Sequence, residues 1–127
     1  MQTKSFFMKM TDGNEIWINR WLPNSDVEIK GVVHLHHGLA EHALRYDRLG
    51  AVLAENGWVL SAHDMRGHGH TAEKAEKENK GRFGQLARKK GFERAVDDLN
   101  EIMEALKKDF PMKKIVLLGH SFGSFIS

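Results

Sequence analysis

A serine sits in the pentapeptide Gly119-His120-Ser121-Phe122-Gly123, directly after the aliphatic run Ile115-Val116-Leu117-Leu118. A serine hydroxyl is a weak nucleophile until a base removes its proton. Gly-x-Ser-x-Gly is a pattern in which a nucleophilic serine occupies a strained, sharp turn between a strand and a helix. Glycines flank such a serine because side chains there would strike the neighbouring strand and helix, and the turn aims a helix N-terminus at a developing oxyanion. The aliphatic run before the motif and the small Ser124 after it supply that setting. The chemistry predicted is covalent acyl transfer through Ser121, set against the plainer reading of a glycine-rich turn with an incidental serine.

Eight histidines suggest two further chemistries, a metal site built from His34, His36, His37 and His42, or a catalytic base among them. Against the metal, His34 and His36 share a strand face while His37 points the opposite way, and Glu41 is the one nearby acid. Against the base, the side chain of His120 leaves the turn in a different direction from Ser121. The histidines read better as hydrogen-bonded braces of tight loops. Asp64, Arg66, His68 and His70 read as a structural turn, in preference to Asp64 as a catalytic acid. No metal or cofactor is expected.

The elements that must position Ser121 follow from periodicity. Ser5 to Met10 and Glu15 to Trp21 alternate as strands about the polar turn Thr11-Asp12-Gly13-Asn14, which predicts an antiparallel hairpin with Ile16, Ile18 and Arg20 on one face. Gly31 to Leu35 is a compact apolar strand running into His36-His37-Gly38. Tyr46, Leu49, Val52 and Leu53 fall at helical spacing before an Asn56-Gly57 stop. Trp58 to Ala62 is the next strand, and the charged stretch from Ala72 to Lys90 is expected to be a mobile loop with at most a helical turn. Phe92, Val96, Leu99, Met103, Leu106 and Phe110 mark a second helix, with Glu93, Asp97 and Asp98 early, Lys107 and Lys108 late, and Pro111 closing it. Ile115 to Leu118, apolar throughout, is expected to be covered on both faces. Strands alternating with helices imply a mostly parallel sheet with right-handed crossovers, an α/β class. His37-Gly38 and Ser121 would then meet at the carboxyl edge of that sheet, where open α/β folds bind ligands.

With 127 residues, 41% hydrophobic and 28% charged, the composition is that of one ordinary soluble domain. A formal charge of +2 with scattered basic residues gives no footprint for nucleic acid. The absence of cysteine rules out disulfides and a thiol nucleophile, and fits a reducing, cytoplasmic setting. No apolar run approaches membrane-spanning length.

HHGLAEH at 36–42, YDRLGAVLAENGW, AHDMRGHGHT at 62–71, GRFGQLARKKGFERAVDDL and LLGHSFGS together resemble the α/β-hydrolase superfamily, in its monoacylglycerol lipase and lysophospholipase branch. The resemblance spans nearly the whole chain in order. It departs from the family at Thr71, where a serine is usual. It implies Ser121 as the nucleophile and the backbone N–H groups of Leu39 and Phe122 as the oxyanion hole. Gly38, Leu39 and His120 would line the substrate site. The implied reaction is hydrolysis of lipid esters carrying a single acyl chain, through an acyl-enzyme and without cofactor. In that family His36, His37 and His42 are not the base.

The triad order in such hydrolases is serine, then acid, then histidine. Both partners are therefore expected on residues beyond these 127, so that residues 1–127 form the N-terminal half of a hydrolase domain, ending just after the nucleophile turn. A C-terminal half or second polypeptide would complete the fold. Without it, Ile115 to Leu118 is expected to be an apolar edge that aggregates or finds a partner, and the chain alone would be inactive. The competing function is a non-catalytic interaction or self-associating module.

Overall fold

A computed structural model describes residues 1–38, 41–78, 80, 81, 84, 91–120 and 123. The hairpin forms as the alternation predicts. Strands β1 (Gln2–Lys9) and β2 (Glu15–Leu22) pair antiparallel, with Lys9 opposite Glu15 and Gly13 turning at φ 90°. Strands β3 (Gly31–His36), β4 (Trp58–His63) and β5 (Lys114–Gly119) complete one sheet in the order β1-β2-β4-β3-β5. β3 runs parallel to both β4 and β5, while β2 meets β4 antiparallel. The carboxyl ends of β3, β4 and β5 therefore share one edge of the sheet.

Alternation along the strands sends successive side chains to two cores. On one face Ile16, Ile18, Val32 and Val59 pack with Ile102 and Leu106 of helix α3 (Gly91–Asp109), and Met65, Ala95 and Leu99 extend that packing. On the other, Trp21, Leu35, Leu60 and Ala62 pack against Ala43 in a 3-10 turn (Ala43–Tyr46), with Leu49 and Leu53 of helix α1 (Asp47–Glu55) alongside. Arg20 is buried on the α3 side. Its guanidinium lies 5.0 Å from the Phe6 ring and 5.3 Å from the Phe110 ring, and it is paired with Asp109 at 2.8 Å.

Three expectations about these elements need correction. Val52 is 50% exposed and does not face the core. The contact face of α1 is set by Gly50, which lies so close to the Trp21 indole that an added Cβ would be 2.7 Å from Cδ1, and this turns Val52 outward. The stretch from Ala72 is in part helical, as helix α2 (Gly69–Lys77). Its Ala, Glu and Lys residues are strong helix formers, and its buried contact consists only of small Thr71 and Ala72, so the apolar period is almost silent. In α3, Phe92 is 46% exposed, while the buried column is Ala95, Leu99, Ile102 and Leu106 together with Asp98. β5, expected as an apolar edge among residues 1–127, has one packed and one exposed face. Ile115 and Leu117 pack inward, but Val116 and Leu118 remain 41% and 43% exposed.

Among the described residues no helix is long and apolar enough to cross a membrane.

Candidate active site

The pentapeptide begins where β5 stops. One residue past the last paired position, Gly119 beside His36, the amide of His120 donates to the carbonyl of His36 at 3.1 Å. The amide of Gly123 donates to the carbonyl of His120 at 3.0 Å. Gly123 is buried against the end of β3, where an added Cβ would overlap the His36 carbonyl oxygen and lie 2.7 Å from that of His37. The second glycine of the motif is thus required by a backbone-to-backbone approach between the turn and the loop leaving β3. Ser121 and Phe122, read as nucleophile and oxyanion donor, and Leu39, read as the other donor, lie outside the described residues. Gly38 and His120, read as lining the site, are both described, and the fold brings them together.

They meet through Glu41. Its Oε2 accepts hydrogen bonds from the Gly38 amide at 3.0 Å and from His120 Nδ1 at 2.9 Å. Its Oε1 accepts from the Tyr46 hydroxyl at 2.5 Å and lies 3.6 Å from the Arg45 guanidinium. The glutamate is buried, at 7% exposure. Burial pushes the Glu41 carboxyl up, but the hydrogen bonds from Tyr46, His120 and Gly38 outweigh it and the net displacement is downward. Burial and the same carboxylate push the Tyr46 phenol up to about 12. Neither residue was singled out for this site from the sequence. The signal was present, since an acid three residues after Gly38 can turn back onto that amide.

The loop after β3 is also braced from the side. His37 Nδ1 donates to the Gly38 carbonyl at 2.6 Å, and its Nε2 accepts the Met65 amide at 2.8 Å. A carbonyl only accepts and an amide only donates, so the ring is the neutral Nδ1–H form. Burial holds its pKa down to about 4. Asp64, with 1% exposure, accepts the amides of Ala43 at 2.6 Å and His70 at 2.8 Å, while the Thr71 hydroxyl donates to its carbonyl at 2.7 Å. Its carboxylate therefore pins the turn between β4 and α2, the structural role expected of it.

Other histidines form a buried cluster. The rings of His34 and His63 stack at 5.1 Å, and His36 meets His63 edge-on at 4.7 Å. His34 Nδ1 pairs with Ser61 Oγ at 2.9 Å and its Nε2 with His63 Nδ1 at 3.0 Å, leaving neither nitrogen free for a metal. Among the described residues no three His, Asp or Glu side chains are grouped to hold a metal ion.

Residues 27–127 match the Hydrolase_4 family, described as serine aminopeptidase, S33. A rat monoglyceride lipase is 31% identical over 116 residues, covering 91% of this chain and 34% of that protein. A monoacylglycerol lipase of Mycolicibacterium smegmatis is 31% identical over 114 residues, covering 90% and 36%. A thermostable carboxyl esterase from Bacillus coagulans superposes with a TM-score of 0.84 at 24% identity, over 99% of this chain and 38% of that one. The chain spans about a third of the length of the curated relatives it matches.

Proposed function

Because the chain belongs to the Hydrolase_4 family of serine hydrolases and has the α/β-hydrolase fold, we propose that it contributes the nucleophile and oxyanion-hole half of a carboxylic ester hydrolase. Ser121 Oγ attacks the ester carbonyl and gives its proton to a histidine supplied from outside residues 1–127. The oxyanion accepts hydrogen bonds from the amides of Leu39 and Phe122, and the leaving alcohol takes the proton as the C–O bond breaks. Water then releases the acid from the acyl-enzyme by the same steps in reverse roles. The names of the lipase relatives favour esters with one acyl chain, monoacylglycerols or lysophospholipids, as substrates. Residues 1–127 form the N-terminal half of one domain in this reading, completed by a C-terminal half or a second polypeptide. A cytoplasmic setting suits the cysteine-free sequence.

The observation that carries the reading is the approach of Gly123 to the carbonyls of His36 and His37. It supports the reading because it seats the residue two past Ser121 on the end of β3 and on His37, two residues before Leu39. The test is labelling of the full-length protein with a fluorophosphonate, with the modified residue mapped by mass spectrometry. Ser121 is expected to carry the label, and a folded, full-length protein that takes none would overturn the assignment.

One observation favours a second reading, a non-catalytic module that pairs through its sheet. Val116 and Leu118 are exposed on β5, a strand with one described neighbour. Hydrolysis of a monoacylglycerol by residues 1–127 alone would exclude it, and native mass measurement would show whether a second polypeptide travels with the chain.

A further inference from the structure

Glu41 joins two nearby points of its own segment, Gly38 in the loop leaving β3 and Tyr46 at the end of the 3-10 turn, to the distant His120 just past β5. A carboxylate can accept about four hydrogen bonds. Here Oε2 is shared between a main-chain amide from one loop and an imidazole N–H from the other, so displacing either loop breaks a charge-assisted bond. Gly38 and His120 are the residues immediately before the proposed oxyanion donor Leu39 and the proposed nucleophile Ser121.

We propose that Glu41 is a positioning residue for the reaction, a buried carboxylate that sets the separation between the oxyanion-hole loop and the nucleophile turn. The proposal rests on the serine-hydrolase reading above. The two segments are otherwise joined to each other by the backbone contact from His120 to His36 and by the packing of Gly123, while His37 braces the Gly38 carbonyl from within its own loop. The first two contacts seat the turn on the end of β3, but neither fixes the Gly38 amide beyond it. Glu41 supplies that restraint, and Tyr46 holds the second carboxylate oxygen so that the first cannot rotate away. Oxyanion stabilisation depends on donors placed to within a fraction of an ångström, and a misplacement of about 1 Å can cost on the order of 10²-fold in rate.

The test uses the full-length protein with a soluble short-chain ester and a fluorophosphonate. Glu41→Ala is expected to lower kcat on the order of 10²-fold with KM nearly unchanged, and to slow labelling of Ser121 in proportion. Glu41→Gln keeps one acceptor oxygen and is expected to recover most of the loss. His120→Ala removes a partly exposed partner and tests the same link if Glu41→Ala fails to fold. The double variant Glu41→Ala/His120→Ala should be little worse than Glu41→Ala alone, because both changes break one link. If the wild type is active and labelled but these variants match it in kcat, or if their losses simply multiply, the positioning role is overturned while the hydrolase reading stands. An unlabelled, inactive wild type would defeat that reading instead.

Discussion

The amide of His120 lies 3.1 Å from the carbonyl oxygen of His36, carrying the parallel pairing of β5 and β3 one residue beyond the last rung of the ladder. The serine motif is thereby an extension of the sheet, tied to β3 before the chain turns away. This anchor is a main-chain bond, which substitutions at position 120 other than proline leave in place.

Gly123→Ala is the sharpest probe of this seating. The added methyl would overlap the His36 carbonyl, and the obstacle is backbone, which cannot swing aside. Overpacking of this kind costs about 1–3 kcal/mol. A lower denaturation midpoint and slower fluorophosphonate labelling in the full-length protein are expected together. Unchanged values for both would show that the turn can move away from β3.

Acid should destabilise the fold through its buried imidazoles. Burial holds His34 at about 3 and His37 at about 4, and puts His63 well below the ordinary value of 6.5. Each group binds its proton more readily when unfolded, so the folded state loses stability as pH falls below about 6.5, and the loss is complete only near the folded-state values. At pH 5 linkage gives about 2 kcal/mol for each of His34 and His37. Urea midpoints should drop between pH 8 and pH 5, and His34→Leu should be less stable at pH 8 but less sensitive to acid. A pH-independent wild type would contradict the burial of the cluster.

Asp98 should matter for stability although it touches no part of the proposed site. With 2% exposure, it accepts Arg66 Nε at 2.5 Å and Nη2 at 3.0 Å, while the same guanidinium bonds Asp12 at 2.6 and 2.7 Å. This joins the first hairpin, the turn after β4 and helix α3. Stranding a buried charge outright costs about 3–5 kcal/mol, but Asp12 still holds Arg66 when Asp98 is removed, so the loss expected is about 1–3 kcal/mol. Asp98→Ala is expected to lower the urea midpoint accordingly, whereas the exposed Asp97→Ala should leave it nearly unchanged.

The sequence was most readable where side chains alternate cleanly. The hairpin, the central strands and the stop at Asn56-Gly57, where Gly57 adopts φ 84°, all follow from local pattern. It was least readable where small or charged residues face inward. Ala95 carries almost no apolar signal and Asp98 carries an opposing one, so the apolar period of α3 marks Val96, Leu99, Met103, Leu106 and Phe110, which do pack inward, but passes over Ala95 and Asp98 and includes the exposed Phe92. Helix α2 was hidden for a similar reason, because Thr71 and Ala72 make its contact. At the candidate site Gly38 and His120, read as lining it, do come together at Glu41, while Ser121, Phe122 and Leu39 lie outside the described residues. Glu41 was missed because its role depends on two partners, one of them supplied by the far end of the chain. Long-range convergence of that kind leaves no periodic trace.

β3 lies between β4 and β5, and both of those partners follow it in the sequence. Pairing Gly31 with Lys114 closes a loop that contains most of the molecule, an entropic cost met before the contact gives any return. The site is therefore also an event in time: its two halves come together only when the final described strand docks. Leu117→Ala is expected to accelerate unfolding more than it slows refolding in stopped-flow measurements, the kinetic mark of contacts made after the barrier is crossed.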